Sequence, residues 1–86
     1  MDQYKIVKYP LSTEKSIRLM EAENKLVFVV DKRSKKNEIK KAIESMFKVE
    51  VVSVKTLTDI EGRKRAYVEF SQKTPAIDIA TQLGLM

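Results

Sequence analysis

Eighty-six residues, 43% hydrophobic and 34% charged, suit one folded domain over residues 1–86 and are too few for two separate cores. A net charge of +5 and a pI near 9.5 point to a polyanionic partner, nucleic acid before an acidic membrane. With no Cys, no His and two glycines, the chain lacks the means for disulfides, thiol nucleophiles, the usual zinc sites, an imidazole base or a glycine-rich phosphate loop.

Binding is therefore expected rather than catalysis, with no cofactor and no metal. No apolar run approaches the roughly 18 residues of a membrane span. MDQYKIVKYP has neither a long apolar core nor a small-residue cleavage site, so no secretory signal is expected and the location is read as cytoplasmic.

The first element, Tyr4 to Tyr9, sets Tyr4, Ile6, Val7 and Tyr9 among lysines and reads as a strand closed by Pro10. Ser12 or Thr13 can cap a helix of about Thr13 to Glu23, with Ile17, Leu19 and Met20 as its apolar positions. Asn24 breaks that pattern. Leu26 to Val30 (LVFVV) is apolar on both faces and predicts a central strand covered on both sides. In the next helix Ile39, Ala42, Ile43, Met46 and Phe47 fall on one buried stripe, with Ser34 available to cap its start.

Val49 to Leu57 and Ala66 to Ser71 predict a hairpin turning through Asp59–Glu61–Gly62, with Ala66, Val68 and Phe70 packed inward. Thr74–Pro75 starts a last helix whose inner stripe is Ala76, Ile79, Ala80 and Leu83, ended by Gly84. The order β-α-β-α-β-β-α predicts an α+β domain with a four-stranded sheet covered by helices.

Charge is concentrated in two places. Residues 31–41 hold six basic side chains (Lys32, Arg33, Lys35, Lys36, Lys40 and Lys41) against Asp31 and Glu38, a net +4. Few opposite-charge pairs at i, i+4 explain that run, so it suits a phosphate backbone better than a solvated helix face. A second cluster, Lys55, Arg63, Lys64 and Arg65, faces only Asp59 and Glu61. Like charges packed into a hairpin repel unless a partner neutralises them; edge-strand protection is the competing explanation.

Phe28, Phe47 and Phe70 lie at inward positions, whereas Tyr67 lies on the face opposite Phe70, open to RNA or to sheet packing. No pattern of a single-strand-reading module is present, so contacts are expected to phosphate, sugar and shape. Glu14, Glu21 and Glu23, or Glu38 and Glu44, are grouped with no nucleophile or metal site, which leaves an enzyme reading unsupported.

The segments YPLSTEKS, ENKLVFVVD, KRSKKNEIKKAI, VEVVSVKTL and GRKRAYVEF, in this order from about Pro10 to the closing IATQLGLM, resemble the large-subunit ribosomal protein family numbered twenty-three. The short turn, Thr58 to Gly62, lacks the long extension of bacterial members, and no long basic tail of the eukaryotic kind precedes the domain. The chain thus looks like an archaeal-type member. Lys55 stands before Thr56–Leu57 where the family commonly has asparagine.

The resemblance implies an antiparallel sheet of strand order 1-2-4-3. It also implies binding to large-subunit ribosomal RNA at the rim of the polypeptide exit tunnel, beside neighbouring rim proteins. A docking role for nascent-chain factors, notably the signal recognition particle, is implied as well. Glu14 matches the acid of the family's S/T-E-K docking motif, and Arg18 lies one turn on. The RNA-binding set expected is Lys15, Lys32, Arg33, Lys35, Lys36, Lys40, Lys55, Thr56, Arg63, Lys64 and Arg65. The alternative is a non-ribosomal protein-interaction or ligand-binding α/β module, which would need a concave pocket with convergent polar groups.

Overall fold

Alternation and helical periodicity resolve into the expected order in the computed structural model, which describes residues 6–83. The elements are β1 (Val7–Pro10), α1 (Glu14–Glu23), β2 (Lys25–Val30), α2 (Lys36–Phe47), β3 (Val51–Thr58), β4 (Lys64–Phe70) and α3 (Ala76–Gln82). The expected start of the first strand at Tyr4 and the helix stop at Gly84 lie outside the described residues. All pairings are antiparallel and the strand order is β1-β2-β4-β3, as the resemblance implied.

The main core lies on one face of the sheet. Leu26, Phe28 and Val30 of β2 and Ala66, Val68 and Phe70 of β4 share a single core with Met20 of α1, Ile39, Ala42 and Ile43 of α2, and Ala76, Ile79 and Ala80 of α3. Each large side chain buried there contributes about 1.5–3 kcal/mol. Phe28 and Phe47 meet with ring centroids 6.4 Å apart. Val27 and Val29 point to the other face and are equally buried, at 3% exposed. β2 is thus covered on both sides; on the second face Lys15 and Leu19 of α1 line a recess with Val27.

The start of α1 meets expectation and the start of α2 departs from it. Thr13 caps α1: its Oγ accepts from the Ser16 N–H (3.2 Å), while Ser16 Oγ accepts from the Thr13 N–H (2.8 Å). That reciprocal cap buries Ser16 with Met20, whereas Ile17, expected inside, is 38% exposed. Ser34 does not cap α2. Its hydroxyl donates to the Asp31 carbonyl and it is 1% exposed, while Lys35 takes the cap position and its N–H donates to Glu38 (3.1 Å).

Asn24 is far more than a helix stop. It adopts left-handed backbone (φ 56°) at the end of α1, a region asparagine tolerates better than most residues. The two hydrogens of its Nδ2 are shared among the carbonyls of Phe70 (3.1 Å), Ser71 (3.2 Å) and Thr74 (3.1 Å), and its Oδ1 accepts from the Ala76 N–H (2.6 Å). One residue therefore closes α1 with its backbone, and with its side chain ties down the end of β4 and caps α3.

Candidate nucleic-acid interface

Antiparallel pairing sets the end of β2 beside the start of β4, with Val30 opposite Lys64 and Lys64 opposite Thr58. The loop leaving β2 and the β3–β4 turn consequently lie at the same end of the sheet. Contact is direct: Lys64 Nζ donates to the Ser34 carbonyl at 2.6 Å. A Cβ built on Gly62 would meet Lys32 Nζ at 3.5 Å. Gly62 itself has φ +82°, the left-handed conformation this turn needs and glycine adopts freely. Two basic clusters about thirty residues apart in sequence become one positive rim.

Within that rim the cations differ in how free they are. Lys32, Arg33, Lys35 and Lys36 are exposed, and among the described residues none of their side chains forms an ion pair. Lys40, half-buried, lies one helical turn beyond Lys36. The positive end of the α2 dipole, at Lys36, adds to the attraction for an anion.

The hairpin cations are already engaged. Asp59 Oδ1 accepts from the backbone N–H groups of Glu61 (3.0 Å) and Arg63 (2.9 Å), which shapes the turn. Its Oδ2 lies 3.2 Å from Arg65 Nε and 3.4 Å from Arg63 Nε. Arg63 also pairs with Glu61 (2.9 Å) and donates to the Tyr9 hydroxyl (3.3 Å). The Arg63 N–H, then the Glu61 N–H and the two guanidinium groups, hold the Asp59 carboxyl below its usual range against an opposing effect of burial. The repulsion expected in this hairpin is relieved from inside by Asp59, without an external partner.

Other expected residues fall around the rim. Lys55 is exposed on the face away from the main core, opposite Tyr67. Thr56 pairs with buried Ala66 and so shares the face of the main core, apart from Lys55. Lys15, exposed on α1, borders a shallow recess with Leu19, Val27, Arg65 and Tyr67, which brings α1 against the sheet face away from the main core. Glu14 and Arg18 stand together on the outer surface of α1 as a 2.8 Å pair, 83% and 76% exposed.

Two residues of this site escape a reading by residue type. Asp59 is the acid that organises the turn, a role hinted at by its position three residues before Gly62. Tyr9, which anchors Arg63, carries no such hint.

Among the described residues no group of acids could hold a metal ion, and no helix is long and apolar enough to cross a membrane. A groove between α1 and α3, lined by Met20, Glu21, Asn24, Pro75, Ala76 and Ile77, is mostly apolar, and the amide of its Asn24 is fully used by the fold. It does not gather the convergent polar groups that a ligand pocket needs.

A family model described as ribosomal protein L23 matches residues 5–81. The large ribosomal subunit protein uL23 of Trypanosoma brucei brucei is 42% identical over 85 residues, 99% of this chain and 52% of that protein. The chain thus spans about half the length of the trypanosome relative. The uL23 protein of Methanococcus aeolicus is 39% identical over 85 residues, 99% of each chain. The family match across residues 5–81, with relatives 39% and 42% identical over 85 residues, places the chain in the ribosomal protein L23 family.

Proposed function

We propose that this chain binds large-subunit ribosomal RNA at the rim of the polypeptide exit tunnel, using the end of the sheet where the two basic segments meet. The observation that carries this reading is the convergence of the 31–36 loop and the 59–65 hairpin into one rim whose loop cations have no protein partner among the described residues. Each of those cations that neutralises a phosphate releases condensed counterions, and the rigid sheet and helix fix where it does so. Shape then selects the RNA, with neighbouring rim proteins completing the surroundings.

An archaeal-type protein is the form this reading favours. A methanogen uL23 protein is 39% identical over 85 residues, and the β3–β4 turn is confined to Asp59–Arg63, without the long extension of bacterial members.

The test is binding to a ribosomal RNA fragment from the exit-tunnel rim, compared with an unrelated folded RNA over a salt series. Tight, fragment-selective binding with a steep inverse salt dependence is expected. Equal and weak binding to both RNAs would refute the proposal.

The outer surface of α1 is assigned to factor docking. Glu14 and Arg18 are mutually paired yet more than three-quarters exposed, so their charges stay accessible at little cost to folding. Large subunits carrying Glu14→Lys are expected to retain less signal recognition particle than wild-type subunits in a sedimentation assay. Unchanged retention would remove Glu14 from the docking surface.

A further inference from the structure

Strict alternation would turn Tyr9 the same way as Val7, which is 6% exposed and part of the core. The strand does otherwise. Val7 pairs with Val30, whereas Tyr9 pairs with Val29, and the register shift between them marks a bulge at Lys8. Pairing with Val29 puts Tyr9 on the face away from the main core, 42% exposed, where Arg63 donates to its hydroxyl. A bulge is a means of re-aiming a side chain, and here it takes an aromatic ring out of the core.

The surroundings make a surface of one kind. One row across the four strands reads Tyr9, Val29, Arg65, Leu57; the row beside it reads Val27, Tyr67, Lys55. With strands about 4.8 Å apart and same-face neighbours about 7 Å apart, the patch measures roughly 14 by 7 Å. Leu57 is 49% exposed, Lys55 is exposed, and Arg65 and Tyr67 are partly accessible. The farther end of the same face differs: there Glu69 accepts from Ser53 and Lys25 pairs with Glu23. Rings, guanidinium groups and an exposed leucine are thus gathered at the end next to the positive rim.

We propose that this patch is a stacking platform for unpaired nucleotides of the bound RNA, with Tyr9 as its principal ring, Tyr67 two strands away as a second ring, and Lys55 positioned for an adjoining phosphate. It rests on the RNA-binding reading above and adds to it a contact with bases. Stacking on aromatic and guanidinium groups tolerates sequence and is worth about tenfold in affinity per base. Because a neutral ring displaces no counterions, its contribution is separable from that of the lysines by salt dependence.

The experiment uses the full chain, the rim fragment with its unpaired loop nucleotides, and a fully paired RNA duplex of equal length. Tyr9→Ala is expected to weaken fragment binding about tenfold at every salt concentration, with the salt slope and duplex affinity unchanged. Tyr9→Phe, which keeps the ring and loses the bond to Arg63, is expected to stay within about twofold of wild type on that scale. Fragment affinity unaltered by Tyr9→Ala, or an equal loss on fragment and duplex, would overturn the platform.

Leu57→Trp supplies a readout that leaves Tyr9 intact, since the chain has no tryptophan of its own. Its fluorescence is expected to be quenched by the fragment and not by the duplex, and quenching by neither would again overturn the proposal. A wild-type chain that fails to select the fragment at all would overturn the RNA-binding reading and the platform together. Selective, salt-steep binding that ignores Tyr9 and leaves the fluorescence of the Leu57→Trp variant unquenched would overturn the platform alone.

Discussion

Replacing Asn24 by alanine is expected to cost about 3–4 kcal/mol of stability, lowering the melting temperature by roughly 15–25 °C. The loss has two sources. Alanine in the left-handed conformation costs about 1–2 kcal/mol more than a residue suited to it. Removal of the amide strands the Ala76 N–H and takes the donor from the carbonyls of Phe70, Ser71 and Thr74, for about a further 2 kcal/mol.

Two companion variants separate these contributions. Asn24→Gly restores backbone freedom and so isolates the hydrogen bonds, with an expected cost of about 2 kcal/mol. Asn24→Asp keeps an acceptor for Ala76 at the start of α3 but turns a carboxylate oxygen toward three carbonyls, so it should be at least as damaging as glycine. Denaturant melts of the three variants decide the matter. An alanine variant within about 1 kcal/mol of wild type, or an aspartate variant as stable as wild type, would mean that the network is not what holds α3 against the sheet.

Asn24 also shows where reading the sequence succeeds and where it stops. That it ends a helix is legible, because asparagine after a periodic segment is a local signal. Its partners lie 46 to 52 residues downstream, and no local pattern encodes them. The same division runs through the molecule. The stripe Ile39, Ala42, Ile43 fixes α2, and alternation of Ala66, Val68 and Phe70 fixes the inner face of β4, because periodicity reports burial directly.

Strand order follows from the family resemblance rather than from periodicity, which is blind to which strands pair. Tyr9 breaks its alternation through a single inserted residue, and a bulge has no reliable signature in a four-residue strand. Ser34 looked like a cap by residue type. Its hydroxyl turned inward to Asp31 while the loop carbonyl received Lys64, a partner from the far side of the hairpin.

The candidate interface was legible as composition and not as arrangement. The two basic segments could be counted from the sequence, but their fusion into one rim depends on β2 pairing with β4. Nor does counting distinguish cations that are available from cations that are engaged. Arg63 and Arg65 share Asp59, and Lys64 sits on the Ser34 carbonyl, so the hairpin's formal charge overstates what it offers to a phosphate. Lys32, Arg33, Lys35 and Lys36 have no such ties among the described residues.

That difference gives the second large effect. Neutralising Lys32, Arg33, Lys35 and Lys36 together to glutamine is expected to weaken binding to the rim RNA fragment about 10³-fold near 0.15 M salt and to flatten the log–log salt slope by about 3–4 units, since each phosphate contact contributes nearly one unit. Stability should change by no more than about 0.5 kcal/mol, because the four side chains are exposed and their mutual repulsion is relieved. The matching hairpin variant, Arg63, Lys64 and Arg65 to glutamine, should behave in the opposite way. Asp59 loses two guanidinium partners and Ser34 its ammonium, so the melting temperature falls, while the salt slope changes by fewer units than the number of charges removed. Equal flattening of the slope by the two variants would show that the hairpin cations leave their protein partners when RNA binds. A loop variant with an unchanged slope would remove the 31–36 loop from the interface altogether.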